Sequence, residues 1–144
     1  MGKVILITGT SSGFGRTIAE KLHSEGYAVI GTSRNAEKIS SDYLTIKLDI
    51  NDYESSKSEV DQIINKYGKI DVLINNAGIN ITGPIETIKM DDVKRVFDTN
   101  FFSQLNLIQT VLPHMRSKKK GLIINITSIA GYLGLPFWSA YCAS

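Results

Sequence analysis

Short runs rich in apolar residues alternate with amphipathic segments along almost the whole chain. Each run contains isoleucine, leucine or valine and is followed by a turn or by polar residues. An apolar run of about four to eight residues is typical of a strand that is buried on both faces. Five such strands are predicted, at residues 4–8, 28–32, 44–48, 72–75 and 122–126.

The segments between these strands carry apolar residues at the spacing of a helix. The first predicted helix ends near Gly26 and the second ends at Gly68, because glycine readily adopts the left-handed conformation found after helices. A longer helix is predicted over residues 91–115. The apolar stripe of this longer helix consists of Val93, Val96, Phe97, Phe101, Ile108, Val111 and Met115.

Strands that alternate with helices predict an α/β fold with a parallel sheet covered on both faces. Right-handed crossovers and a glycine-rich first turn favour the doubly wound, Rossmann-type arrangement with strand order 3-2-1-4-5. We expect one dinucleotide-binding domain over residues 1–144. Ligands of such sheets bind at the carboxyl ends of the strands, so the residues that follow each strand are the functional candidates.

Composition limits the classes of function. The chain has 144 residues, of which 42% are hydrophobic and 21% are charged, which is ordinary globular composition. A net charge of +2 is too small to predict binding to nucleic acid or to an anionic membrane. No run approaches the ~20 apolar residues of a membrane span, no signal peptide is visible, and Cys142 is the single cysteine, so we expect a cytoplasmic protein. His23 and His114 lack the spacing of metal ligands, so no metal site is predicted.

A glycine-rich turn follows the first strand and precedes the first helix. It reads Thr-Gly-Thr-Ser-Ser-Gly-Phe-Gly over residues 8–15, a G-x-x-x-G-x-G pattern. Glycines let backbone N–H groups approach a phosphate, and the positive end of the helix dipole attracts its charge. The predicted cofactor-binding residues of this turn are Gly9, Ser11, Ser12, Gly13, Phe14 and Gly15. Taken alone, the pattern also fits a turn that binds no ligand.

Polar residues at two further strand ends refine the predicted ligand. NAD-binding folds carry an acid that binds the ribose 2′-hydroxyl, whereas an arginine accommodates the 2′-phosphate of NADP. Here Ser33 and Arg34 follow the second strand, which favours NADP; a solvated surface arginine is the alternative. The fourth strand leads into Asn-Asn-Ala-Gly at residues 75–78, where the amides can tie neighbouring strands and the alanine and glycine leave room for a flat ligand; an ordinary turn is the alternative.

Three more residues have the chemistry that carbonyl reduction requires. Asn100 lies on the apolar stripe of the long helix, where we interpret the amide as marking a local break in the helix that holds a water near an active site. Ser128 and Tyr141 follow the fifth strand, and one hydroxyl would polarise a carbonyl oxygen while the other exchanges its proton. Each of the three residues also fits a structural role when it is considered alone.

Together these residues resemble the short-chain dehydrogenase/reductase family, in order and spacing, over the whole chain. The resemblance implies an NAD(P)-dependent oxidoreductase that interconverts an alcohol and a carbonyl by hydride transfer, here with NADP(H) favoured. It implies catalytic roles for Asn100, Ser128 and Tyr141, and it implies that Asp49 contacts the adenine. The cofactor-binding residues expected outside the first turn are Arg34, Asp49, Ile50, Asn76, Ala77 and Gly78.

The resemblance also predicts that one of the family's catalytic residues is absent from this chain. The family's fourth catalytic residue is a lysine four positions after the tyrosine, whereas the sequence reads Tyr141, Cys142, Ala143 and Ser144 and ends. We therefore expect a truncated chain with its sheet incomplete at the carboxyl-terminal side, inactive alone and prone to self-association along the fifth strand. A small-molecule substrate and a homo-oligomer are expected. The alternatives are a non-catalytic nucleotide-binding module and an inactive fragment of such an enzyme.

Overall fold

A computed structural model, which describes residues 2–144, contains one five-stranded sheet. Its strands are β1 Val4–Ile7, β2 Ala28–Ser33, β3 Leu44–Lys47, β4 Val72–Asn75 and β5 Leu122–Asn125. Neighbouring strands pair in parallel, in the order β3-β2-β1-β4-β5. The predicted fold class, the parallel sheet and the strand order are therefore confirmed.

Four of the predicted strands differ from the observed ones by one residue at the carboxyl end. Thr8, Leu48 and Ile126 lie just beyond their strands, while β2 extends through Ser33. The N–H groups of Thr8 and Ile126 still donate to carbonyls of β4, at 3.0 and 2.8 Å. The chain turns away after this last bond, so the side chains that follow reach the carboxyl edge of the sheet.

The two central strands form the middle of the core. β1 and β4 are buried at every position. The helices α2 Tyr53–Tyr67 and α4 Ser103–Ser117 contribute Val60, Ile63, Leu107, Val111 and Met115 to the core on one face of the sheet. On the other face, α1 Gly13–Ser24 packs through Ala19, with Ile18 and Leu22 beside it.

One crossover lacks the helix that the alternating pattern leads one to expect. Between β2 and β3 the chain forms only the 3₁₀ turn Ala36–Lys38. The ring of Tyr43, which is 5% exposed, joins the core cluster that contains Ala19 on that face. β3 itself is exposed or half-buried along its length, because it lies at the edge of the sheet beside this short connection.

Helix α2 begins and ends with clear capping features. The carboxylate of Asp52 accepts a hydrogen bond from the N–H of Ser55 at 3.0 Å, which satisfies a free donor of the first turn. Gly68 follows the last turn with a φ of 77°, in the left-handed region. Its N–H donates to the carbonyl of Ile64 at 2.7 Å. The predicted stop at Gly68 is therefore confirmed.

The helical stretch predicted over residues 91–115 is present, but an irregular segment around Asn100 divides it into two α-helices. The chain forms α3 Met90–Phe97, then a π-helical segment Asp98–Phe102, and then α4. A π turn contains one more residue than an α turn and therefore rotates the side chains that follow it. Phe101 is accordingly 50% exposed and does not belong to the apolar stripe, whereas Val96 and Val111 are buried.

The chain after β5 is the least covered part of the molecule. It contains the 3₁₀ turn Ile129–Gly131 and the short helix α5 Ser139–Ala143. Leu122, Ile124 and Ile126 are each more than a third exposed, since β5 pairs only with β4 among the described residues. None of the helices within residues 2–144 is both long and apolar enough to cross a membrane.

Candidate cofactor-binding and active site

A cavity of about 520 Å³ opens at the carboxyl ends of the strands. Its size lies in the usual range for small-molecule sites of about 300–1,000 Å³. The predicted cofactor-binding residues that line it are Gly9, Ser11, Ser12, Arg34, Asp49, Ile50, Asn76, Ala77 and Gly78. The three others, Gly13, Phe14 and Gly15, lie outside its lining. The structure thus brings together residues from four separate strand ends.

Two glycines of the first turn are required by close packing. Gly9 has a φ of 71°, and a Cβ there would lie 2.9 Å from the Cα of Ala77. Gly15 is buried, and a Cβ on it would collide with the carbonyl of Gly9 and the side chain of Asn76. The turn therefore lies against the loop after β4, and larger residues would push the two segments apart.

Hydrogen bonds join the first turn to the same loop. The hydroxyl of Thr8 accepts from the N–H groups of Asn76 and Ala77, each at 3.0 Å. The side-chain amide of Asn76 donates to the carbonyls of Thr8 and Gly9 at 2.9 and 3.1 Å. Asn76 therefore links the ends of β1 and β4 by hydrogen bonds. The small residues Ala77 and Gly78, which follow it, line the cavity.

Helix α1 begins at the edge of the cavity in a form suited to an anion. Ser12 is extended and Gly13 is left-handed with a φ of 58°, so the first helical N–H groups follow a sharp turn. Among the described residues, the Ser12 side chain makes no bond that caps the helix, and the first turn contains no acid. Phe14 is 79% exposed and points away from the core. The free amino end can therefore receive phosphate oxygens.

The end of β2 presents positive charge and no carboxylate. The hydroxyl of Ser33 accepts from the N–H of Asn35 at 3.1 Å and so closes a short turn. Arg34 and Lys38 both line the cavity, and within residues 2–144 neither forms an ion pair. An anionic group bound at this end of the cavity could therefore pair with the side chains of Arg34 and Lys38.

The loop after β3 supplies an acid and an apolar residue. One carboxylate oxygen of Asp49 accepts from the N–H of Asn51 at 3.0 Å, which orients the group. No side-chain bond occupies its other oxygen within the described part of the chain. Ile50 beside it is buried. An oriented acceptor next to an apolar wall suits a heteroaromatic ring that carries an amino group.

Asn100 lies inside the π segment, so the regular α-helical bonding is interrupted at the predicted residue. Its Oδ1 accepts from the N–H of Ile79 at 2.9 Å, and its Nδ2 donates to the Ile79 carbonyl at 3.0 Å. Nδ2 also donates to the hydroxyl of Ser144 at 2.9 Å. Both amide hydrogens are therefore engaged, and Asn100 connects the loop after β4 to the residue that follows helix α5.

Tyr141 and Ser128 lie outside the cavity lining, on the segment that follows β5. Helix α5, which contains Tyr141, packs against both α3 and the 3₁₀ turn that begins after Ser128. The hydroxyl of Ser144 donates to the Tyr141 carbonyl at 3.0 Å, so a chain of bonds runs from Asn100 through Ser144 to Tyr141. The Tyr141 ring meets Trp138 edge to face, 5.5 Å between centroids.

Several residues of this site escaped the sequence analysis. Lys38, Asn51, Arg95 and Thr99 all line the cavity. Lys38 follows Arg34 by four positions and Asn51 directly follows Ile50, and that proximity to predicted residues is the only signal for them in the sequence. Arg95 and Thr99 face the cavity because they lie one helical turn apart, on the turn before Asn100.

Comparison with known proteins agrees with this geometry. A family model described as short chain dehydrogenase matches residues 3–144. The chain belongs to the short-chain dehydrogenase family. Proteins of this family are oxidoreductases that act on small molecules, so the chain belongs to an enzyme family.

Two curated relatives illustrate the range of the family. The chain is 42% identical to a 3-ketodihydrosphingosine reductase of Bacteroides thetaiotaomicron over 142 residues, covering 99% of the chain and 53% of the relative. It is 40% identical to the 3-oxoacyl-[acyl-carrier-protein] reductase FabG of Haemophilus influenzae, covering 99% of the chain and 62% of the relative. The chain thus spans little more than half the length of these relatives.

Solved structures give the same picture. A short-chain dehydrogenase from Streptomyces avermitilis superposes with a TM-score of 0.95 at 36% identity, covering 99% of this chain and 55% of that one. The protein ElxO, solved with NADP bound, superposes with a TM-score of 0.93 at 33% identity, covering 99% of this chain and 62% of that one. A nicotinamide dinucleotide is therefore the cofactor class of the family.

Proposed function

We propose that this chain forms the cofactor-binding part of an oxidoreductase that interconverts an alcohol and a carbonyl compound, with NADP(H) as the preferred cofactor. One observation carries the proposal: Asn100 bonds to the loop that lines the cavity and also to Ser144, which follows helix α5 and donates to the carbonyl of Tyr141. The cavity and a residue of acid–base type are thereby linked. The activity is proposed for a protein of full family length that contains this chain.

The residues around the cavity fit such a cofactor by their chemistry. The free N–H groups at the start of α1 would hold the pyrophosphate, and the free oxygen of Asp49 would accept from the adenine amino group. Ala77 and Gly78 leave room for a flat ring. When bound, the nicotinamide exchanges a hydride with the substrate carbon.

The remaining chemistry is proton transfer and polarisation. The hydroxyl of Ser128 accepts from the N–H of Ala130 at 3.1 Å, which leaves its own hydrogen free to donate to a substrate oxygen. We assign to the Tyr141 phenol the exchange of a proton with that same oxygen. Because both amide hydrogens of Asn100 are engaged, the water that we predict at the π segment would bind through the backbone.

Three observations support NADP rather than NAD. β2 ends in Ser33 where an acid would recognise the ribose hydroxyls, Arg34 lines the cavity, and Lys38 adds a second cation. ElxO and a metagenomic short-chain oxidoreductase have each been solved with NADP. A guanidinium contributes paired hydrogen bonds to a phosphate, which an uncharged residue would not replace.

Calorimetry on the full-length protein tests the cofactor preference. Arg34→Ala is expected to weaken NADPH binding by roughly 10- to 100-fold, the size of a charged hydrogen bond, and to leave NADH binding unchanged. The matched control is Arg116→Ala, which changes an exposed arginine in the last turn of α4. Equal affinities of the unmodified protein for the two cofactors, or no loss on Arg34→Ala, would contradict the preference.

A non-catalytic nucleotide-binding module is the second candidate. It is favoured by the fact that the cavity is lined by residues between Gly9 and Thr99, whereas Ser128 and Tyr141 lie outside the lining. The two candidates differ in one measurement, the oxidation of NADPH with a panel of aldehydes and ketones. Binding without any turnover by the full-length protein would favour the module.

For the polypeptide of residues 1–144 by itself, we propose binding without turnover. The exposed apolar side chains of Leu122, Ile124 and Ile126 would join copies along the β5 edge, giving a homo-oligomer or aggregate. Light scattering together with the NADPH assay checks both statements, and turnover by a monodisperse monomer would refute them. The single cysteine leads us to propose a reducing, cytoplasmic setting.

A further inference from the structure

We propose that Asn51 is a positioning residue that couples the nucleotide-filled cavity to the catalytic turn around Asn100. The proposal rests on the proposed function, because it takes the cavity to hold an adenine nucleotide. It adds a role for a residue outside the predicted site. Its side chain is one of the groups that bond to the π segment Asp98–Phe102 and to the residue after it.

The alternative to a π segment is regular α-helical hydrogen bonding over the same residues. If this segment adopted regular α-helical bonding, the side chains on its two sides would be rotated relative to each other, so the two arrangements are distinct. Neither register is dictated by local preference alone, so contacts with the rest of the molecule select between them. The anchors of residues 98–103 are therefore the groups that decide where the backbone of Asn100 lies.

The first set of anchors comes from the loop after β4. Asn100 exchanges two hydrogen bonds with the backbone of Ile79, at 2.9 and 3.0 Å. Gln104, one turn later, donates to the carbonyl of Ala77 at 3.1 Å. These bonds hold one side of the segment against the wall of the cavity.

The second anchor is the side chain of Asn51. Ser103 donates to its Oδ1 at 2.7 Å, and its Nδ2 donates to the hydroxyl of Thr99 at 3.1 Å. Thr99 and Ser103 are both buried. Buried hydroxyls need partners, and one amide serves both of them, one residue before Asn100 and three after it. Asn51 therefore bonds to residues on both sides of Asn100.

Asn51 also belongs to the loop after β3, which would contact the adenine through Asp49. Its own N–H donates to the carboxylate of Asp49 at 3.0 Å, and Asp49, Asn51 and Thr99 all line the cavity. A ligand that contacts Asp49 therefore stabilises the loop from which the second anchor extends. Binding at the adenine end would favour the π register, since a ligand shifts a two-state element toward the state it binds better.

The coupling can be measured without catalysis. We would follow amide hydrogen exchange of residues 98–103 in the full-length protein, with and without 2′,5′-ADP, a ligand that lacks the nicotinamide. In the unmodified protein the ligand is expected to slow this exchange by about tenfold, a typical size for coupling between sites. In Asn51→Ala the ligand should still bind within about threefold, yet slow this exchange by less than about twofold.

Three further variants make the test specific. Asn51→Asp should restore the effect, because a carboxylate accepts from both hydroxyls. Asn35→Ala changes another exposed asparagine of the same cavity and should leave the effect intact. Ser103→Ala removes the 2.7 Å bond from the other side and should lose the effect, so it decides the matter if Asn51→Ala does not fold.

The outcomes separate the two proposals. If 2′,5′-ADP and ADP both fail to bind the unmodified protein, the proposed function fails and this inference fails with it. If a nucleotide binds but exchange at residues 98–103 does not slow, or slows equally in Asn51→Ala, only the coupling is refuted. Support requires loss in Asn51→Ala, recovery in Asn51→Asp, and a kcat that falls in Asn51→Ala with an almost unchanged KM for NADPH.

Discussion

The strands β4 and β5 have almost the same apolar sequence but very different surroundings. β4 is buried at all four positions, whereas β5 is exposed or half-buried. Ile74 is 5% exposed and its register partner Ile124 is 37% exposed. β4 has a strand on each side, and β5 has only β4 among the described residues. An apolar run thus predicts a strand, but its neighbours decide how far that strand is buried.

The residues that follow the buried strands and those that follow β5 differ in the same way, in how far other segments hold and cover them. Around β1 and β4, Thr8 and Asn76 bond to one another's segments, so hydrogen bonds within the chain hold the proposed nucleotide side of the site together. After β5, Tyr132 is 94% exposed, and Phe137 is held at a positive φ of 67°. We infer that the nucleotide side is preorganised by its own packing, and that the catalytic side depends on further contacts.

The largest expected effect lies on the catalytic side. Tyr141→Phe removes one hydroxyl and should lower kcat of the full-length protein by roughly 10²- to 10⁴-fold, the usual contribution of general acid–base catalysis. NADPH affinity should not change, because Tyr141 lies outside the cavity lining. Tyr132→Phe is the matched control. A loss of tenfold or less for Tyr141→Phe would assign the proton to another group.

Glycine substitutions test the difference in packing directly. Gly9→Ala adds a Cβ to a left-handed residue at 2.9 Å from Ala77, and should lower the free energy of unfolding by about 2–4 kcal/mol. Gly131→Ala places its Cβ in open space on the other side and should change stability by less than about 0.5 kcal/mol. Urea unfolding measures both, and equal effects would show that the two regions are packed alike.

An isosteric substitution measures how much the hydrogen bonds of the proposed nucleotide side contribute to the free energy of unfolding. Thr8→Val leaves the N–H groups of Asn76 and Ala77 without their acceptor and should cost about 1–3 kcal/mol of unfolding free energy. In Thr110→Val, by contrast, only a bond to the carbonyl of Asn106 within the same helix is lost. The control should be nearly neutral. A neutral Thr8→Val would mean that the segment is held by packing alone.

The smallest expected effect concerns Asp71, where β1, β4 and β5 meet. Burial raises the pKa of this carboxyl, but hydrogen bonds from Lys69 and from the Val4 N–H, together with the charges of Lys69 and Lys120, lower it below the ordinary value. The two donors lie at 2.8 Å. Asp71→Asn should therefore cost about 1 kcal/mol at pH 7.

The pH dependence of this effect has a definite sign. Because the folded pKa of Asp71 is lowered, its stabilising contribution is complete above the unfolded pKa of about 4 and is lost as pH falls through the folded value. The free energies of unfolding of the original and Asp71→Asn proteins should converge in acid. Asp42→Asn, an exposed change, serves as control. A difference that persists below the folded pKa would indicate a purely structural role.

The strand order and much of the candidate site could be predicted from the sequence. Parallel strands place their carboxyl ends at one edge, so the sequence alone predicts that Thr8, Arg34, Asp49 and Asn76 lie there. Three strands are predicted one residue too long, because Thr8, Leu48 and Ile126 still bond to the neighbouring strand just past the last regular strand position, and β2 is predicted one residue too short. Asn100 was recognised as an interruption, since an amide on an apolar stripe requires a partner.

What the sequence by itself determined is the kind of element each segment forms and the edge of the sheet at which its polar residues meet, because periodicity and turn chemistry are local. Only the tertiary structure decided that the interruption is a π segment, that Phe101 is exposed, and that Asn51 bonds to Thr99 and Ser103. Those contacts join residues about fifty positions apart, and their formation depends on distances that no short-range pattern encodes.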